Sequence, residues 1–173
     1  MSREYPKEEP NLLRGVFAGV VGGLVASWVM NQYFVAIARA TEAITEQPQQ
    51  QDQKEGEDST QLVADAIASR FIGRHLDKEE REKAGPILHY AFGALMGGVY
   101  GGIAEYSSSV RNDFGTLFGS VLFVGAHEIA VPALGFGKPP TQQPVSDQLS
   151  HWAGHVVYGA TAELVRFGVR QIL

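Results

Sequence analysis

Residues 16–38, VFAGVVGGLVASWVMNQYFVAIA, decide the fold class, because they run for 23 residues without a charged side chain. A helix needs about 20 apolar residues to cross the hydrocarbon core of a bilayer. A buried helix of a soluble protein rarely runs that long without charge. Acidic residues precede the run and no A-x-A-type cleavage site follows it, so we interpret it as a retained membrane span and not as a signal peptide.

Three further apolar segments follow, at residues 85–104, 114–136 and 151–169. The last is the least apolar of the three and by itself resembles an amphipathic helix of a soluble protein. We predict one all-α membrane domain over residues 1–173, built as an integral membrane four-helix bundle. Arg14 and Arg170 lie at span ends, which favours both termini on the cytoplasmic side.

A polar segment separates the first two spans. Residues 46–58 are rich in Gln and low in complexity, which predicts a flexible linker. Residues 59–74 carry apolar side chains at helical spacing, and we predict one amphipathic helix there. This helix has two alternative positions, on the membrane surface or docked against the bundle.

Composition excludes several classes of protein. The chain has no Cys, which excludes disulfides and thiolate metal sites. Its net charge of −5 argues against nucleic acid as a partner. The chain also contains 20 glycines, which let membrane helices approach closely. The predicted helix-packing positions are Gly15, Gly19, Gly93, Gly97, Gly98, Gly101, Gly102, Gly115 and Gly119.

The glycines of the second span fall on two faces. Gly93, Gly97 and Gly101 recur every four residues, and so do Gly98 and Gly102. One face would serve the bundle and the other a second protomer, so we expect a homo-oligomer. The alternative is that both faces pack within one chain.

A repeated pattern links the spans in pairs. Gly15-x3-Gly19 in the first span matches Gly115-x3-Gly119 in the third. The second span reads His89-Tyr-Ala-Phe-Gly-Ala and the fourth His155-Val-Val-Tyr-Gly-Ala. This suggests two duplicated helical hairpins, with chance similarity among Gly-rich segments as the alternative.

Ionisable side chains lie at or near membrane depth, where they are costly and usually face the bundle interior. Glu163 and Arg166 are three residues apart and are expected to pair within one helix. The candidate polar network comprises His89, Glu105, His127, Glu128, His155, Glu163 and Arg166.

Three interpretations of these residues compete. The first is a network of hydrogen bonds that fixes helix register, and the second is a proton-responsive site, since His titrates near neutral pH. The third, least favoured, is a metal or haem site formed by His89, His127 and His155, because the chain has no H-E-x-x-H motif. We otherwise expect no cofactor. We also expect no enzyme activity. Ser107, Ser108 and Ser109 lie in a short loop without an adjacent base, and the Gly-rich runs lack the strand–loop–helix context of a phosphate-binding loop.

Several spacings resemble the YagU-like family of bacterial inner-membrane proteins. The matching residues are Ala18-Gly19-Val20-Val21, His89, Phe92, Tyr100, Ala104-Glu105, Gly115, Gly119, His127, Pro132, Gly135, Pro139-Pro140, Gly154-His155, Glu163 and Arg166. The resemblance implies a multi-pass protein of the bacterial inner membrane and brings no catalytic residues with it. The polar insertion at residues 46–58 departs from the family.

The leading expectation is a non-enzymatic protein of the inner membrane, in contact with the lipid bilayer and responsive to pH or protons. The first alternative is a small channel or transporter lined by the polar residues. The second is an accessory subunit of a larger membrane complex.

Overall fold

The computed structural model describes residues 9–45, 59–111 and 113–173, which form helices and connecting turns without a strand in these ranges. The predicted all-α fold is therefore confirmed. The predicted linker at residues 46–58 lies outside the described residues. The helices are α1 (Leu12–Thr45), α2 (Ser59–Ile72), α3 (Lys78–Tyr106), the short α4 (Ser108–Arg111), α5 (Thr116–Ala133) and α6 (Val145–Arg170).

Among the described residues, three helices are long and apolar enough to cross a membrane. They are Leu12–Ala43 within α1, the whole of α3 and the whole of α5. The predicted fourth span, which corresponds to α6, is not among them. Charged residues lower the hydropathy of α6, namely Asp147, Glu163, Arg166 and Arg170.

The four long helices alternate in direction. Gly15 of α1 lies by Gly101 of α3 and Gly23 by Gly93, so α1 and α3 are antiparallel. In the same way, Gly22 of α1 lies by Ala162 of α6, while a residue later in α1, Phe34, lies by Gly154. Helix α1 therefore packs between α3 and α6, and α5 packs on the other side of α6.

Glycines allow α1 and α3 to meet backbone to backbone. A Cβ atom at Gly97 would lie 2.7 Å from the Cα of Gly23, and one at Gly19 would lie 2.9 Å from the Cα of Gly101. Real Cβ contacts essentially never come so close, and the obstructing atoms are backbone atoms that cannot rotate away. Side chains larger than hydrogen would force these two helices apart.

The second glycine face of α3 also packs within the chain. A Cβ atom at Gly98 would meet Val20 at 3.0 Å, and one at Gly102 would meet Val16 at 3.1 Å. Both valines belong to α1. The surface that the sequence suggested for a second protomer is thus covered by the chain's own first helix, and this argument for a homo-oligomer loses its basis.

A second glycine contact joins α5 and α6. A Cβ atom at Gly159 would lie 2.8 Å from the backbone nitrogen of Gly119. In the predicted repeat, Gly159 of the fourth span corresponds to Gly93 of the second span. Gly159 contacts Gly119 of α5, and Gly93 contacts Ser27 of α1. Both hairpins therefore have a close contact at this glycine. These contacts align Gly119 with Ser27, whereas the predicted repeat aligned it with Gly19, which is eight residues or about two helical turns away.

Helix α2 docks on the beginning of α3. Its buried residues are Ala64 and Ala68, whereas Phe71 and Ile72 of the predicted apolar face are exposed. The Asp77 side chain caps α3 by accepting a hydrogen bond from the backbone N–H of Glu80, which completes a capping box. As a result, α3 begins seven residues before the predicted span at residues 85–104.

Candidate functional site

The buried polar side chains form two separate clusters. The Glu–Arg network, at the end of the bundle where α1 begins and α3 and α6 end, consists of Tyr100, Glu105, Glu163, Arg166 and Arg170. The histidine cluster lies between α5 and α6, toward the opposite end, and consists of His127, Glu128, His151 and His155. The sequence had predicted one polar network.

The predicted pairing of Glu163 with Arg166 is present at the centre of the Glu–Arg network. Arg166 donates through Nε to Glu163 Oε2 at 2.6 Å and through Nη2 to Oε1 at 2.8 Å. Tyr100 of α3 donates its hydroxyl to Glu163 Oε2 at 3.0 Å. Glu163 and Arg166 are 1% and 2% exposed, so both charges depend on these partners for stabilisation.

Glu105 connects this pair to two more helix ends. Its Oε1 accepts a hydrogen bond from Arg170 Nε at 2.8 Å and lies 3.9 Å from Arg166 Nη1. Its Oε2 accepts a hydrogen bond from the backbone N–H of Asn11, just before α1. Two carboxylates thus face two guanidinium groups, so the charges of these four side chains balance. Such a neutral set can remain buried among membrane helices.

The histidine cluster brings three imidazole rings together. The ring centroid of His127 lies 4.7 Å from that of His151 and 5.8 Å from that of His155. His127 Nδ1 lies 2.8 Å from the carboxylate of Glu128. Phe123 stacks on His127, with its ring centroid 5.4 Å away, and forms an apolar wall of the cluster.

Local backbone geometry positions these rings. Residues Phe123–Ala130 of α5 are π-helical, which is a rare conformation that often occurs at functional sites. On α6, His151 Nδ1 lies 2.8 Å from the backbone oxygen of Asp147, and His155 Nδ1 lies 2.8 Å from that of His151. A hydrogen bond from Nδ1–H to a carbonyl leaves Nε2 of a neutral ring as an acceptor.

The structure distributes the predicted residues unevenly. Glu105, Glu163 and Arg166 meet in the Glu–Arg network, whereas His127, Glu128 and His155 meet in the histidine cluster. His89 lies on α3, where its ring contacts that of Tyr90 at 5.7 Å between centroids.

Three members of the clusters were missed by the sequence reasoning, namely Tyr100, His151 and Arg170. His151 is four residues before His155, and Arg170 is four residues after Arg166, so helical spacing placed both on faces already selected. For Tyr100 as a hydrogen-bond donor to Glu163, the sequence held no local signal.

The arrangement does not provide the ligand set on which the metal or haem interpretation depended. Within residues 9–45, 59–111 and 113–173, no three His, Asp or Glu side chains are grouped closely enough to hold a metal ion. The site instead holds three imidazole rings, one of which, that of His127, lies beside the carboxylate of Glu128.

Fold and polar interior together define a helical membrane protein. Residues 72–164, more than half of the chain, match the family described as protein of unknown function (DUF1440), and the chain belongs to that family. The matched region begins at the end of α2 and includes all of the histidine cluster. No curated protein and no solved structure matches the chain.

Proposed function

We propose that this chain is a four-span, non-enzymatic protein of the bacterial inner membrane whose histidine cluster responds to protons. The resemblance to YagU-like proteins supports the assignment to that membrane. The observation that carries the proton response is the meeting of His127, His151 and His155 beside the carboxylate of Glu128.

The packing of α6 supports a fourth span. Its 26 residues extend for about 39 Å at about 1.5 Å per residue, which exceeds the thickness of the hydrocarbon core. It runs antiparallel to α1 and α5, as a fourth crossing would. Glu163, Arg166 and Arg170 are buried in the bundle, so none of these charges would face lipid.

The short distance between the rings makes the contact between α5 and α6 sensitive to protonation. Two unit charges about 5 Å apart repel by about 3 kcal/mol at an effective dielectric constant near 20. Glu128 offsets the first charge, at His127, but a second proton on His151 would meet this repulsion. Because His127 lies on α5 and His151 on α6, this repulsion acts across the contact between the two helices and weakens it.

Tryptophan fluorescence offers a direct test. Trp152 follows His151 and donates Nε1–H to Ser120 of α5 at 3.1 Å, so its emission reports the contact between α5 and α6. Trp28→Phe removes the only other tryptophan of the chain. In lipid nanodiscs, we expect the emission of Trp152 to change in one transition as the pH falls from about 8 to about 4, because repulsion between the rings moves protonation below the usual range of histidine.

Histidine variants assign the transition. His127→Gln and His151→Gln should each reduce it, whereas His75→Gln, on an exposed connection, should leave it unchanged. Emission that stays flat over this range would contradict the proposal. So would a transition that survives the simultaneous replacement of His127 and His151.

A further inference from the structure

A cleft of about 590 Å³ lies between α2 and the connection from α5 to α6. On one side it is lined by Asp65, Ser69, Arg70 and His75, and on the other by Gly135 and Phe136. None of these residues belongs to the histidine cluster or to the Glu–Arg network. The cleft is therefore a separate feature of the molecule.

The cleft lies where the spans leave the apolar layer. Gly135 and Phe136 follow α5, a candidate span that ends at Ala133. The opposite wall belongs to α2, whose Gln61 contacts Gly85 at the start of the apolar part of α3. Both walls are thus attached to span ends, which places the cleft at the level of the lipid headgroups.

Side chains around the cleft suit that level. Phe71 and Ile72 are 82% and 69% exposed, and they directly follow Arg70. A helix with adjoining aromatic, aliphatic and cationic side chains is typical of segments that bind at the membrane interface. The apolar side chains enter the acyl region, while the cation stays among the phosphates.

The polar lining favours a phosphate group. Arg70 is exposed and makes no ion pair within the described part of the chain, so its guanidinium can bind phosphate with two hydrogen bonds. Asp65, the acidic residue of the lining, is engaged by His75 Nδ1 at 2.8 Å and by the backbone N–H of Leu76 at 2.6 Å. Both oxygens of the Asp65 carboxylate are thus engaged by partners within the chain.

We propose that this cleft binds the phosphate of a phospholipid headgroup, with Arg70 as the ligand and Phe71 and Ile72 inserted among the acyl chains. Ser69 and His75 supply further polar contacts. This inference depends on membrane insertion and not on the proton response, so either proposal can fail while the other stands.

Binding of short-chain lipids to the full-length protein in neutral detergent tests the proposal. Short-chain phosphatidylglycerol is compared with diacylglycerol of the same acyl chains and with inorganic phosphate, and the shift in unfolding temperature is recorded against ligand concentration. We expect phosphatidylglycerol to raise the unfolding temperature and diacylglycerol to have little effect. An equal effect of inorganic phosphate would support the phosphate site and identify a soluble anion as its ligand.

Variants of the arginine decide whether binding occurs in the cleft. Arg70→Gln should weaken binding about tenfold, the loss expected when a charge-assisted hydrogen bond to phosphate is removed. Arg70→Glu should abolish it. The matched control is Arg39→Gln, an exposed cation of α1 outside the cleft, which should bind like the wild type. Wild-type affinity in both Arg70 variants, or equal shifts with diacylglycerol and phosphatidylglycerol, would overturn the proposal.

Discussion

Replacing Glu163 by Gln should destabilise the bundle strongly. Glu163 accepts two hydrogen bonds from Arg166 and one from Tyr100, all in a site that is almost completely buried. After the change, Arg166 and Arg170 would share Glu105 as their carboxylate partner within the described network, which would carry a net positive charge. Removing one member of a buried ion pair costs about 3–5 kcal/mol. A neutral hydrogen bond between membrane helices contributes only about 0.6 kcal/mol, so the two cases are easily distinguished.

The free energy of unfolding can be measured by titration with sodium dodecyl sulfate in mixed micelles. The matched control is Glu79→Gln, which removes the exposed ion pair of Glu79 with Lys83 and should change the free energy by about 0.5 kcal/mol or less. Replacing Arg166 by Met together with Glu163→Gln should recover part of the loss, because the uncompensated charge is removed. A loss of less than about 1 kcal/mol for Glu163→Gln alone would refute the account of a mutually dependent network.

Two further predictions concern helix packing and pH. Gly97→Ala should lower the free energy of unfolding by about 1–3 kcal/mol, because the new methyl group would collide with the backbone of α1 at Gly23. The control is Gly168→Ala in the same titration. Gly168 has open space around it, so this change should be neutral or slightly stabilising. Hydrogen bonds from His75 and from the backbone N–H of Leu76 lower the pKa of Asp65 in the folded protein. The stability that Asp65 contributes is therefore complete above its unfolded pKa and is lost as the pH falls through its folded pKa. The protection of α2 amides from hydrogen exchange, taken relative to the intrinsic exchange rate at each pH, should therefore stay constant between about pH 7 and about pH 5 and fall below about pH 4. Asp65→Asn should remove that fall, and a loss of protection that already begins above about pH 5 would contradict this assignment.

Membrane character followed from local sequence because hydropathy is a sum over neighbouring residues. The run at residues 16–38 lies within α1, and the predicted second and third spans correspond to α3 and α5. The pairing of Glu163 with Arg166 was predictable for the same reason, since three residues along a helix return to nearly the same face. The earlier start of α3 was also encoded locally, in the capping box of Asp77 and Glu80.

The functions of the two glycine faces were not predictable in this way. Gly97 and Gly98 are neighbours in sequence, yet both pack against α1, because Val16 and Val20 fill the space over the second face. Spacing along α3 identified positions that tolerate close approach. It carried no information about which helix approaches them.

The sequence by itself determined that this is a helical membrane protein, that its apolar helices are rich in glycine, and that certain ionisable residues lie within or beside those helices. Only the tertiary structure divided those residues into a neutral Glu–Arg network and a histidine cluster, and brought His151 beside His127. The physical reason is that helix periodicity fixes positions within one helix, whereas contacts between helices depend on their rotation, direction and axial offset. Those quantities are set by backbone contacts such as that of Gly159 with Gly119, which are distant in the chain.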